Sequence, residues 1–172
     1  MASLMEELID CLEQEEKEFS QLLTLSRKKT PIIVNGEVAA LEKITDEEQI
    51  IVGRITSLEH KRETVTKDIA EVINKDVEEL KLTTLIDLMS NQPKERDRLS
   101  KIHDRLSGTV REVRQVNENN AELIKHSLEM VNFDLSILQA MRQAPETANY
   151  GRTAASTGMM LGGSSGGFDA KQ

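Results

Sequence analysis

With 172 residues, 38% hydrophobic and 30% charged, but no Trp, one Tyr and three Phe, the chain has material for one domain and too few aromatics for a thick globular core. A net charge of -8 repels nucleic acid and anionic lipid, so neither is expected as a primary ligand. No apolar run approaches the roughly 18 residues that span a bilayer, which speaks against direct membrane insertion, and no signal peptide opens the chain. The single cysteine, Cys11, has no internal disulfide partner, as suits a reducing, cytoplasmic setting.

Abundant Leu, Ile, Val, Glu and Lys with only three Pro predict an all-α fold. The expected architecture is an elongated antiparallel bundle of three long helices and one short one, over residues 1–142. A first helix is predicted from residue 3 to about residue 29, with Leu4, Leu8, Cys11 or Leu12, Glu15, Phe19, Leu22 and Ser26 on one face. Its first half is acidic (Glu6, Glu7, Asp10, Glu13, Glu15, Glu16, Glu18) and its second half closes with Arg27, Lys28 and Lys29. That order suits the helix dipole. The stretch Thr30-Pro31-Ile32-Ile33-Val34-Asn35-Gly36 reads as a helix end, frayed or kinked at Pro31 and stopped by a left-handed cap. A strand and hairpin are rejected there because no second alternating strand follows.

From Glu37 or Val38 a second helix is predicted, with Leu41, Ile44, Glu48, Ile51, Ile55, Leu58, Arg62, Val65, Ile69 and Val72 on its seam. Thr45 through Glu48 resembles a capping box, so a break there is an alternative. Residues 74–81 are mixed and charged. A short amphipathic helix follows, capped by Thr83 or Thr84 and carrying Leu85, Ile86, Leu88 and Met89. Ser90-Asn91-Gln92-Pro93 ends it and starts the last helix, with Pro93 at its first position.

The last helix, about Pro93 to Arg142, organises the chain. Its seam runs Leu99, Ile102, Leu106, Thr109, Val113, Val116, Asn120, Leu123, Ser127, Met130, Asp134, Ile137, Met141. A second row, Val110, Asn117, Ile124, Val131 and Leu138, runs beside it. Beyond Asn120 the rows merge, and Leu128, Phe133 and Leu135 widen the stripe. The first half therefore belongs to the protein's own core and the second half partly to a partner. Candidate partner-binding residues are Asn120, Leu123, Ile124, Ser127, Leu128, Met130, Val131, Leu135, Ile137, Leu138 and Met141. At 1.5 Å per residue the last helix is expected to overhang the second by on the order of 10–15 Å. Up-down topology would set the acidic start of the first helix beside residues 94–114, which hold seven Lys or Arg and four Asp or Glu. After Met141 the Gly- and Ser-rich residues 143–172 are expected to form a flexible tail.

Nothing points to catalysis, a cofactor or a metal. His60, His103 and His126 sit on separate helical segments with no Glu-x-x-His pairing. Cys11 reads as a half-buried small residue, and the Glu clusters as solvated faces. Gly162-Gly163-Ser164-Ser165-Gly166-Gly167 lacks the Lys-Ser/Thr of a phosphate loop. Asn117, Asn119 and Asn120 fit either register-setting in the chain's own bundle or partner recognition. The broad stripe fits either a partner or a homodimer, the latter making the protein a structural coiled-coil adaptor or tether.

Several motifs occur in a set order: Lys28-Lys29, Ile33-Val34-Asn35-Gly36-Glu37-Val38, Leu41, Glu47-Glu48-Gln49, Leu58-Glu59-His60-Lys61-Arg62, Asn117 to Ile124, Ser127-Leu128-Glu129, Tyr150-Gly151 and Phe168 to Lys171. In that order they resemble the FlgN family of flagellar export chaperones over nearly the whole chain. The resemblance implies a cytoplasmic, ATP-independent chaperone of flagellar type III export. It would bind the C-terminal helical ends of hook–filament junction (hook-associated) proteins, prevent their premature assembly and deliver them to the membrane export gate. It also implies that cargo meets the C-terminal helix, about Asn120 to Met141, and that Tyr150 docks on the export-gate protein.

Overall fold

The computed structural model describes residues 2–77, 80–89 and 92–143. Its elements are all α-helices: α1 (Ala2–Asn35), α2 (Val38–Ile73), α3 (Leu82–Leu88) and α4 (Pro93–Gln143). Residues 143–172 were expected to form a flexible tail; of these, 144–172, Tyr150 included, lie outside the described residues.

Helix α1 runs through Pro31 rather than fraying there. The proline ring removes one donor, leaving the Arg27 carbonyl without its partner four residues on, and a 34-residue helix absorbs that single loss. The end comes at Gly36, at φ +69°. The Gly36 N–H donates to the Ile33 carbonyl and the Glu37 N–H to the Ile32 carbonyl, both at 3.1 Å. These two bonds satisfy carbonyls that the helix end would leave orphaned. A Cβ at Gly36 meets no atom within 4 Å, so Gly36→Ala isolates the backbone cost. Urea denaturation should show a loss of about 1–2 kcal/mol.

Helix α2 has no break at Thr45, whose hydroxyl donates to the Leu41 carbonyl at 2.7 Å instead of capping a helix start. It closes on Asn74, at φ 53°, with the Lys75 N–H donating to the Ala70 carbonyl. Asparagine tolerates this left-handed position better than most side chains. At its end the seam shifts: Val72 is exposed, while Ile69 and Ala70 are buried. Helix α3 begins at Leu82 with Lys81 at its N-cap and no side-chain cap bond, so Thr83 and Thr84 lie inside it rather than before it.

The chain divides into two compact units, residues 1–129 and 130–172. Within the first unit, helix directions follow from the contacts. Helix α1 is antiparallel to α2, because Glu7 meets Lys61, Glu18 meets Arg54 and Lys29 meets Glu48. It is parallel to α4, because Glu6, Asp10 and Glu13 meet Arg98, Glu16 meets Arg105 and Arg27 meets Glu112. The acidic half of α1 thus lies along the basic start of α4. The dipole reading of those charges gives way to this one: neither the first turn of α1 holds an acid nor the last a base. A dipole acts mainly within one terminal turn. Exposed pairs of this kind contribute at most about 1 kcal/mol each and serve alignment.

Two apolar clusters hold the first unit together. One joins Met5, Leu8, Ile9 and Leu12 of α1 to Val65 and Ile69 of α2, Leu85 of α3, and Leu99 and Ile102 of α4. Its α1 stripe is wider than expected: Met5, Leu8, Ile9 and Leu12 share one cluster with residues of α2, α3 and α4, while Cys11 is buried with its Sγ against the Leu58 carbonyl of α2. The other cluster joins Leu22, Ile51, Ile55 and Val113, with Phe19, Leu23 and Leu25 packed against it.

Candidate partner-binding surface

Three polar side chains interrupt the buried seams, and each is matched across helices. Glu15 of α1 is 2% exposed and accepts a hydrogen bond from Arg62 Nε at 2.9 Å. Glu48 of α2 accepts from Ser26 Oγ at 3.1 Å and from Lys29 Nζ at 2.7 Å. Asn120 of α4 donates through Nδ2 to the Ser26 carbonyl at 2.9 Å and accepts from Thr30 Oγ1 at 2.7 Å. No buried side-chain nitrogen or oxygen among the described residues lacks a partner. Such matched layers penalise any slip of one helix against another, since a slipped register would strand buried polar groups.

Asn120 therefore serves its own bundle. Of the two roles open to it from sequence, the structure places it at 3% exposure with both ends of its amide engaged on α1. It is also the last buried residue of α4. Leu123 and Ile124 are half-buried, and every residue from Lys125 to Gln143 is exposed. Ser127 is exposed and its hydroxyl donates to the Leu123 carbonyl at 2.9 Å. In the first unit Leu128 is 59% exposed. In the second unit Met130, Val131, Leu135, Ile137, Leu138 and Met141 are all exposed, from 41% for Ile137 to 70% for Met141. Phe133, 65% exposed, belongs with them. It is not among the candidate residues, although it stands in the same widened stripe as Leu128 and Leu135, which is the signal that points to it.

This concentration of exposed apolar side chains on one short stretch is what marks a surface made to be covered. Two methionines, leucines and a phenylalanine give it side chains that re-pack easily. Exposed apolar residues also occur on α2, at Ile50 and Val52. Ile50 borders a cleft of about 650 Å³ between α1 and α2, lined by Gln14, Lys17, Glu18, Gly53, Arg54, Ser57 and Leu58.

Cys11 is fully buried rather than half-buried, and its Sγ lies 3.3 Å from the Leu58 carbonyl. Burial, with the nearby Glu15 carboxylate, pushes its thiol up and away from the nucleophilic thiolate. His60 lies near Glu63, His103 near Asp104 and His126 near Glu129. His103 and His126 share α4 but are 23 positions apart. Among the described residues no group of three or more His, Cys, Asp or Glu is placed to hold a metal ion, and no helix is long and apolar enough to cross a membrane.

Comparison with known proteins gives one family. The family model described as FlgN protein matches residues 1–158, most of the chain. No curated protein and no solved structure matches it.

Proposed function

The chain belongs to the FlgN family of flagellar export chaperones, and from that premise we propose that it escorts hook–filament junction proteins in the cytoplasm. The second half of α4 receives the C-terminal helical ends of these hook-associated proteins, keeps them from assembling early and hands them to the flagellar type III export gate. The observation that carries this reading is the change along α4: buried seam residues as far as Asn120, then exposed apolar ones from Leu128 to Met141. A cargo helix laid against that stretch would supply the apolar neighbours it lacks. Leu123 and Ile124 would form the edge where cargo meets the bundle.

The direct test is isothermal titration of the full chain with a purified junction protein of the same bacterium. Micromolar or tighter binding is expected. A titration with no heat and no co-elution ends the reading, and a tight dimer of the free chain would favour the adaptor role instead. Tyr150 is proposed to contact the export-gate protein. Tyr150→Ala should leave the cargo affinity unchanged within twofold while lowering the amount of junction protein secreted by cells.

A further inference from the structure

Residues 130–143 carry more apolar surface than one neighbouring helix can reach. At about 100° per residue, the apolar side chains of this segment spread over an arc of roughly 200°. Phe133 and Ile137 lie at one edge, Met130 and Met141 in the middle, and Leu138, Val131 and Leu135 at the other edge. The remaining side carries Asn132, Ser136, Gln139 and Gln143, all neutral and polar. Where the same helix packs into its own bundle, Leu99 through Asn120, the seam covers only about 100°. A stripe half as wide is therefore enough for α4 among its own neighbours.

The exposed area gives the same answer. With exposures of 41–70%, the seven side chains from Met130 to Met141 present on the order of 700 Å², close to the roughly 800 Å² per partner of a standard specific interface. One helix on one side would bury about half of that and leave the opposite apolar edge in water. Charge narrows the partner further. The segment has only Asp134, near the middle of the arc, and Arg142, near its leucine edge. Matching surfaces are therefore apolar, with a single base facing Asp134 and a single acid facing Arg142.

Building on the chaperone reading above, we propose that residues 130–143 are clasped between two amphipathic helices of the same cargo molecule, one on each side of the arc. The Asn132–Gln139 side stays in water. Cargo binding at this end thus forms a three-helix unit, in which α4 supplies one helix and the cargo supplies two.

The test uses the full chain and a purified junction protein as probe. Phe133→Ala/Ile137→Ala strips one edge and Val131→Ala/Leu135→Ala strips the other, with no buried residue touched. Each double variant should weaken binding at least tenfold. A photo-crosslinking residue placed at Phe133 and, separately, at Leu135 should attach to two different stretches of one cargo chain. The proposal is overturned if either double variant binds within twofold of the unmodified chain, if both positions attach to one stretch, or if either attaches to a second copy of this chain. An unmodified chain that fails to bind the junction protein removes the chaperone reading and this proposal together. Binding that depends on one edge alone removes only this proposal.

Discussion

Replacing Leu128, Leu135 and Leu138 together by alanine is expected to weaken binding of a junction protein by at least 100-fold. Fully burying a leucine side chain is worth about 1.5–3 kcal/mol, so covering one that starts half-exposed is worth about 1 kcal/mol or more, and each 1.4 kcal/mol is a factor of ten. Three such losses along one helix reach that range. The bundle should not notice, because the three side chains are 59%, 50% and 56% exposed and none belongs to either apolar cluster. Alanine is also the strongest helix former, so α4 keeps its propensity. Thermal unfolding within about 2 °C of the unmodified chain, together with lost binding in titration calorimetry, is the expected pair of results. Retention of affinity within threefold would move the cargo site elsewhere on the molecule.

The second large effect concerns stability. Arg62→Met should cost about 2–3 kcal/mol at pH 7, because it leaves the Glu15 carboxylate buried without its guanidinium partner. The figure lies below the usual cost of breaking a fully buried pair because Arg62 is itself 32% exposed. Burial already pushes the Glu15 carboxyl above the ordinary carboxylate range, and the Arg62 charge and hydrogen bond pull it back only in part. The sign follows from proton binding. A raised native pKa means that the folded chain holds more protons than the unfolded one between the two values, so stability falls as pH rises through that window. Without Arg62 the native value rises further, so the deficit of the variant should be largest at neutral pH and shrink toward pH 5. Glu15→Gln keeps an acceptor for Arg62 and removes the buried charge. It should match or exceed the unmodified chain at pH 7 and lose this pH slope. Urea denaturation at pH 5 and pH 7 reads both, and an Arg62→Met deficit of equal size at the two values would show that Glu15 is not its cause.

Much of this molecule is legible without coordinates. Helix ends at Asn35-Gly36 and Pro93 follow from local chemistry: only certain residues tolerate a left-handed cap, and only proline brings its φ already set for a first turn. The topology is legible as well, since short connections force neighbours antiparallel and an acidic α1 then meets a basic α4. Less legible are features that depend on a neighbour far along the chain. Pro31 looks like a break because its local cost is visible, while the packing of Ile33 that carries the helix past it is not. Met5 and Ile9 stand off the predicted α1 face, and only the cluster they form with residues of the other three helices shows them buried.

Periodicity and composition alone settled that this chain is helical, which stripes are apolar, and that the last helix carries more of such surface than its own seam needs. These are properties of three or four consecutive turns, and a sequence contains them entire. Three-dimensional packing alone decided which polar seam residue is spent inside. Asn120 and Asn119 are adjacent and chemically identical, yet one is buried on Ser26 and Thr30 and the other bonds Gln115 in the open. That difference is set by residues about 90 positions away, and no local pattern records it.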